Sequence, residues 1–380
     1  MYKATLAKSR YQEPVMALLS SQHGGNTREA AALYGFEEAQ LLDFSANINP
    51  LGMPATLKQA IIANLALAER YPDPEYQALH QRLATHHRIA PDWVLAGNGE
   101  TELIFLLTAW LRPRRALLLT PGFAEYRRAL QKTGCEIVDY PLTQANGWQP
   151  DDGLLKALTP GLDCLFLCTP NNPTGLLPDE ALIMAIARRC GDCGITLIVD
   201  EAFLDFVPQA PGLIPFLAEL PHVWVLRSLT KFFAIPGLRL GYLACADVRA
   251  VAALRAEREP WSINAFAALA GEMLFEDKAY IDATLAWLNQ QRPWLYAELA
   301  KIAGVTVWPG VANYLFLRCD APGLDLQAAL LAKRILIRSC ANYPGLDARY
   351  YRVAVKSREA NAALVAALKE ILPAGNIYSR

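Results

Sequence analysis

The stretch VWVLRSLTKFFAIPGLRLGYLAC, Val223–Cys245, sets two continuous apolar runs on either side of a polar turn that carries Lys231 and Arg239. The runs lack apolar–polar alternation, so they read as strands buried on both faces, the condition of a mostly parallel sheet covered by helices. The same texture recurs upstream in WVLAG (Trp93–Gly97), RALLLTP (Arg115–Pro121), CEIVDY (Cys135–Tyr140), LDCLFLCTP (Leu162–Pro170) and TLIVDEAF (Thr196–Phe203). Helical patterns separate these runs. Pro178–Gly194, for example, has acids in its first turn, Arg188 and Arg189 in its last, and Gly191 or Gly194 as its stop. The expected fold is α/β, with a large domain over residues 55–265.

The C-terminal part has a different texture. Ala/Leu-rich helical stretches (Val248–Arg258, Ile263–Arg292, Leu326–Lys333, Asn361–Ile371) surround the short strand candidates VTVWP, NYLFLR, ILIRSC and YYRVAV, which predicts a smaller α+β domain over residues 266–380. Residues 16–54 read as an N-terminal arm or small-domain segment. Residues 1–15 have no periodicity and read as a disordered extension.

The 380 residues hold 36 Lys+Arg against 37 Asp+Glu, with 53% hydrophobic and 19% charged residues, which argues against a basic nucleic-acid-binding or membrane-surface protein and against a disordered chain. The N-terminus lacks the apolar segment of a signal peptide, and no stretch approaches the roughly 18 apolar residues of a membrane span. Eight cysteines lie mostly inside apolar runs, as reduced buried thiols do, so the expected compartment is the cytoplasm. Cys190 and Cys193 form a C-x-x-C. A zinc site needs about four ligands and no second such pair is present, so the pair reads as a helix end and no metal is expected.

Chemistry-bearing residues gather at the ends of the predicted strands. GNGET (Gly97–Thr101), PNNPTG (Pro170–Gly175), DEA (Asp200–Ala202) and SLTK (Ser228–Lys231) follow such ends, where open parallel sheets place ligands, and GLRLG (Gly237–Gly241) comes next. In this order the segments resemble the pyridoxal-phosphate enzymes of the aspartate-aminotransferase superfamily, in its histidinol-phosphate aminotransferase-like branch. The resemblance runs from about His23 to Val355. It implies the fold-type-I architecture, with a mostly parallel seven-stranded sheet in the large domain, pyridoxal 5'-phosphate as cofactor, and a homodimer that shares its active sites.

The residue types suit that chemistry. A pyridoxal aldehyde needs a lysine, and Lys231 stands on a Ser/Thr-rich turn beside Arg239, where desolvation and a neighbouring cation would favour the neutral amine; a solvated surface lysine would lack the surrounding SLTKFFAIPGLRLGY pattern. Asp200, closing an apolar run, is the acid expected to keep the pyridine nitrogen protonated, although an isolated Asp there could equally be a cap. By resemblance Asn172 hydrogen-bonds the ring oxygen. Gly99, Glu100 and Thr101 open a predicted helix, so their N–H groups and the helix dipole would face the cofactor phosphate, with Ser228 and Arg239 on the other wall. Phe123 resembles the aromatic that stacks on the ring, with Tyr126 as fallback and core packing as the plain alternative. Tyr71 matches a tyrosine that in this superfamily reaches the phosphate from the neighbouring subunit.

For the substrate, Arg352 in YYRVAV resembles the carboxylate-binding arginine, and Arg338 in ILIRSC the arginine that engages phosphate-bearing substrates; each fork suits an oxyanion. Two departures mark this chain within its branch: Asn47-Ile48-Asn49-Pro50 in place of Asn-Glu-Asn-Pro, and Phe203 where a tyrosine is usual. With those departures, HGGN at His23–Asn26 and the other segments resemble the decarboxylases of phosphorylated amino acids. The implied substrate residues are His23, Gly24, Asn47, Asn172, Arg338 and Arg352. The implied reaction is loss of carbon dioxide from a small phosphorylated amino acid, with a histidinol-phosphate-type aminotransferase as the alternative. A cofactor-sensing regulator would require an attached DNA-binding segment.

Overall fold

In the computed structural model the described residues are 23–372, so the expectation for residues 1–15 lies outside them. The larger of two compact units comprises Ile48–Asn172 and Leu176–Ala286; of the described residues, the smaller takes in 23–47, Pro173–Gly175 and 287–372.

The larger unit is built on a seven-stranded sheet. In chain order its strands are β1 (Val94–Asn98), β2 (Arg115–Thr120), β3 (Glu136–Pro141), β4 (Cys164–Cys168), β5 (Thr196–Asp200), β6 (Val223–Ser228) and β7 (Leu240–Ala244). The spatial order is β1-β7-β6-β5-β4-β2-β3. The pairs β3–β2, β2–β4, β4–β5 and β5–β6 are parallel, whereas β7 runs antiparallel to both β6 and β1. The α/β class and mostly parallel sheet are therefore as expected. Helices cover the sheet because β1, β4, β6 and β7 bury nearly every residue, and Leu95, Phe166, Ile198, Leu226 and Leu243 meet Ile104 and Leu107 in one core.

β3 is the exception to the expected two-sided burial. It closes one edge of the sheet, and its residues are half-buried or exposed. An edge strand has one neighbour, and the charges in EIVDYP keep its open side polar.

The helix expected over Pro178–Gly194 spans Glu180–Asp192, with Glu180 in its first turn and Arg189 in its last. The expected single stretch Ile263–Arg292 is instead two helices, Ala265–Met273 and Lys278–Leu299, joined by the 3-10 turn Leu274–Glu276. Asp277 causes the break by accepting a hydrogen bond from the Tyr280 amide at 3.0 Å, a local side-chain bond that restarts the helix. Ala265–Met273 belongs to the larger unit because Gly271 lies against Leu79 and Leu240, where a Cβ would sit 2.3 Å from Leu79 Cδ1. The units thus divide after Asn47 and Ala286, where the sequence reading drew its lines at residues 54 and 265.

The smaller unit carries an antiparallel sheet in the order Arg338–Ser339, Tyr350–Ala354, Tyr314–Cys319, Val305–Val307. The run ILIRSC does not form one strand: Ile335–Leu336 pairs in parallel with Leu42–Asp43, and Arg338–Ser339 pairs with Tyr350–Ala354. No helix among the described residues is long and apolar enough to cross a membrane. All eight cysteines are free thiols; Cys190 is buried in its helix, and Cys193 Sγ lies 3.4 Å from the Leu158 carbonyl oxygen.

Candidate active site

One edge of the large sheet collects the sequence-predicted cofactor residues, because β1, β2, β4, β5 and β6 all end there and β7 starts there. Gly99 caps the helix Glu100–Leu111 directly after β1, so the first amides of that twelve-residue helix point outward with the positive end of its dipole. Gly99 has φ +79°, and a Cβ there would stand 2.5 Å from Arg239 Nη2. Arg239, itself at φ +62°, thus brings its guanidinium against the helix start, and only glycine leaves room for it. Gly241 serves the same approach: its Cβ would lie 2.5 Å from the Glu100 nitrogen. Thr101 is the second residue of the helix, and Ser228 closes β6. Helix amides, hydroxyls and a guanidinium around one concave spot form an anion cradle.

Lys231 follows three residues after β6, with its side chain one-quarter exposed. Nζ donates to Ser228 Oγ at 2.9 Å, meets Glu100 Oε2 at 3.4 Å and lies 5.5 Å from the centre of the Phe203 ring. The ionisable group nearest Nζ is therefore the Glu100 carboxyl, whereas the Arg239 fork turns to Gly99 and the Pro236 carbonyl. This corrects the expectation of a cationic neighbour for the amine. Glu100 is buried with Oε1 unpartnered. Burial first, and the Asp200 charge next, push its carboxyl well above the usual carboxylate range.

Asp200 closes β5 and is buried. Its Oδ1 accepts from the Ala202 amide at 2.9 Å, and its Oδ2 accepts a short hydrogen bond from the Tyr126 hydroxyl. Tyr126 stacks on Phe166 with ring centres 4.8 Å apart, and burial followed by the Asp200 charge raises its phenol well above the usual range. The ring considered as a fallback stacking partner is thus a core residue with its hydroxyl committed to Asp200. Phe123, half-buried at the start of Ala124–Lys132, packs edge-on to Tyr126 at 5.5 Å. Asn172 is buried at the start of the Asn172–Thr174 turn. Tyr71 is 81% exposed, with its ring 4.8 Å from Trp261.

Asn49, which the sequence reading passed over, also belongs here. Its amide donates to the Lys231 carbonyl at 3.1 Å, and its Nδ2 donates to the Phe232 carbonyl and Thr284 Oγ1, each at 2.8 Å. It fixes the turn that carries the lysine. An Asn-x-Asn-Pro string near a glycine-rich turn was the available signal.

The smaller unit holds the other predicted residues. Arg338 and Arg352 are directly opposed on antiparallel strands, and both are buried. Arg338 Nη2 donates to Asn342 Oδ1 at 2.9 Å and its guanidinium lies over the Tyr343 ring; Arg352 Nη2 donates to the Ser45 carbonyl at 2.9 Å and its guanidinium lies over Tyr314. Burial, and to a lesser extent the Arg352 charge, pull the Arg338 pKa down, so the pair gains by binding anions. Ser45 ties in the glycine turn: Gly25 N donates to Ser45 Oγ at 2.8 Å, and Gly24 lies so close that a Cβ would be 2.2 Å from the Ser45 carbonyl oxygen. His23 is exposed at the head of that turn, and Asn47 is buried, with its carbonyl accepting from Asn313 Nδ2 at 2.9 Å. Ser45 and Asn313 are the residues missed in this unit.

An anion cradle, a lysine and a buried acid around one sheet edge define a class of site, and the chain belongs to the class I and II aminotransferase family, which matches residues 39–368. Within it, the chain is 59% identical, over 94% of its length and 98% of the other's, to the threonine-phosphate decarboxylase of Salmonella typhimurium strain LT2. Among solved structures it resembles the histidinol-phosphate aminotransferase of Clostridium acetobutylicum (30% identity, TM-score 0.82) and the L-threonine-O-3-phosphate decarboxylase of Porphyromonas gingivalis (25% identity, TM-score 0.79), each covering 87% of this chain and 99% of its own.

Proposed function

We propose that this chain is a pyridoxal-phosphate-dependent carboxy-lyase that converts L-threonine O-3-phosphate into (R)-1-amino-2-propanol O-2-phosphate and carbon dioxide, a step of adenosylcobalamin biosynthesis. The observation that carries this reading is the 59% identity to a threonine-phosphate decarboxylase over nearly the whole of both chains. Backbone similarity alone does not separate it from an aminotransferase, since the TM-scores to the decarboxylase and the aminotransferase are 0.79 and 0.82.

The residues present fit the cofactor. The Gly99 cradle with the Arg239 fork suits a phosphate, the buried acid Asp200 suits a protonated pyridine nitrogen, and Lys231 suits an aldehyde. Pyridoxal phosphate supplies an aldehyde that captures the substrate amine and a ring that accepts the electron pair left when a bond to the α-carbon breaks. The chain's contribution is orientation and charge. Asp200, steadied by the Tyr126 hydroxyl and the Ala202 amide, would hold a proton on the pyridine nitrogen. The amides of Glu100 and Thr101, with Ser228 and Arg239, would bind the phosphate, the Gly99 amide being taken up by the Gly97 carbonyl at 2.8 Å, and Asn172 would bond the ring oxygen. Phe203 has no donor for that oxygen, so Asn172 carries it.

The groups that fix the substrate's two anions would select which bond to the α-carbon is set to break. Arg338 and Arg352, with His23, Gly24 and Asn47, fill that role. Groups that set the carboxylate to leave would give decarboxylation, and groups that set the α-hydrogen to leave would give transamination. The freed Lys231 amine is the candidate donor of the proton that replaces the carboxylate. A homodimer is part of the proposal: Leu51, Met53, Ile62, Leu65, Tyr71 and Trp261 expose large apolar surface on the larger unit, as a covered face does, and Tyr71 would reach the partner's phosphate. The proposed location is the cytoplasm, without nucleic-acid or membrane partners.

Phosphorus NMR of a reaction containing only holoenzyme and threonine phosphate tests the reading. Appearance of the phosphorylated amino alcohol supports it. A phosphorylated oxo product that accumulates only in a second reaction supplied with an oxo-acid acceptor favours the aminotransferase.

A further inference from the structure

Asp200 ends β5, and Ser228 ends the neighbouring strand β6 three residues before Lys231. The residues next to them along the chain, Glu201 and Arg227, form an ion pair whose side chains are 1% and 7% exposed. Arg227 Nε donates to Glu201 Oε2 at 2.9 Å, and Arg227 Nη1 donates to Asp205 Oδ1 at 2.8 Å. Glu201 Oε1 accepts from the Leu213 amide at 2.8 Å, and the Glu201 amide donates to the Leu226 carbonyl at 2.9 Å. Gly212 backs onto the same carboxylate, where a Cβ would stand 2.6 Å from Glu201 Oε2. On the other side, Arg227 pairs in register with Tyr242, whose hydroxyl lies 2.6 Å from His87 Nε2.

Stability alone is a weak reason for such a pair. Two charges taken out of water lose about as much hydration as they regain, and an apolar pair of equal volume is often as stable or more so. What the ion pair does give is a fixed length and direction between two strand ends, with both Glu201 oxygens and the Arg227 Nε and Nη1 bonded. Those strand ends are the ones that present Asp200 and the Ser228–Lys231 turn.

We infer that Glu201 and Arg227 are positioning residues: their ion pair sets the spacing between the acid Asp200 and the Ser228–Lys231 turn, and thereby the fit of one pyridoxal phosphate held at both ends. The inference rests on the cofactor reading above. An acid for the ring nitrogen and a lysine for the aldehyde act on opposite ends of one rigid ring. Slack between β5 and β6 therefore costs affinity even when both groups are intact.

The double variant Glu201→Leu/Arg227→Met separates positioning from stability, because it removes both charges and leaves apolar side chains in their place. Three quantities are measured in parent and variant: the melting temperature of the protein without added cofactor, the pyridoxal phosphate dissociation constant, and the pH midpoint of the cofactor's visible absorbance. The expected result is cofactor binding weaker by about tenfold or more and a displaced midpoint, together with a lower melting temperature because Asp205 and the Leu213 amide lose their partners. If the double variant does not fold, Glu201→Gln keeps the volume and one acceptor oxygen, and about threefold or greater weakening with a displaced midpoint is expected. A folded variant with the parent's dissociation constant and midpoint overturns the inference, whatever its melting temperature. A parent that takes up no cofactor overturns the underlying reading instead.

Discussion

Arg338 and Arg352 face each other across two antiparallel strands, both buried, each guanidinium lying over a tyrosine ring. Two like charges at a single rung destabilise a sheet unless something anionic compensates. Arg352→Lys and Arg338→Lys each keep the charge and lose the planar fork. Each is expected to raise KM for threonine phosphate by about ten- to a hundredfold while the cofactor's absorbance stays at the parent's. Steady-state kinetics and a spectrum of the same sample check it; an unchanged KM in both variants removes the arginines from substrate binding.

Tyr126→Phe keeps the ring stacked on Phe166 and deletes only the donor to Asp200. Loss of one hydrogen bond to a charged group costs about 1.5–3 kcal/mol. Pyridoxal phosphate binding is therefore expected to weaken by about ten- to a hundredfold. Equilibrium titration of the cofactor reads it directly.

Gly99→Ala adds a methyl 2.5 Å from Arg239 Nη2 at a backbone φ of +79°. The guanidinium must retreat from the helix start, and the residue is strained as well. The expected outcome is cofactor affinity lowered by about tenfold or more, with pyridoxal, which lacks the phosphate, much less affected than pyridoxal phosphate. Equal losses for both forms would place the phosphate elsewhere.

His80 gives a pH dependence that is independent of catalysis. It is buried, its Nε2 accepts from the Ala96 amide at 3.0 Å, and burial lowers its pKa to about 3. Because the folded value lies below the unfolded one near 6.5, the unfolded chain binds the proton first as pH falls. The stabilising effect of a neutral His80 is thus full above about pH 6.5 and declines steadily toward pH 3. Between pH 7.5 and 5.5 this single group should account for a loss of about 1.4 kcal/mol. Denaturant titrations at the two pH values, with His80→Gln as comparison, should show a smaller acid loss in the variant.

Much of this architecture was legible in the residues. Buried strands such as VWVLRS and TLIVD announce themselves by unbroken apolar runs, and the polar strings after them mark the sheet edge that holds Lys231 and Asp200. What stayed hidden was long-range pairing. Tyr126 meets Asp200 across 74 positions, and Arg352 meets the Ser45 carbonyl across 307. No local period encodes such bonds. The ILIRSC run was read as one strand because its apolar pattern is continuous, yet Ile335–Leu336 and Arg338–Ser339 join different sheets. The contact of Glu100 with Lys231 was likewise unreadable, since a helix-opening acid is usually explained by the dipole alone.

The measurement that bears most directly on the proposed chemistry follows carboxyl-labelled threonine phosphate with purified holoenzyme and no oxo acid, using Lys231→Ala as control. The account predicts one labelled carbon dioxide for each amino alcohol phosphate formed, with many turnovers, the amine nitrogen retained in the product, and neither gas nor product from the lysine variant. Label kept in an oxo acid, with the cofactor converted to its amine form after a single turnover, would contradict it.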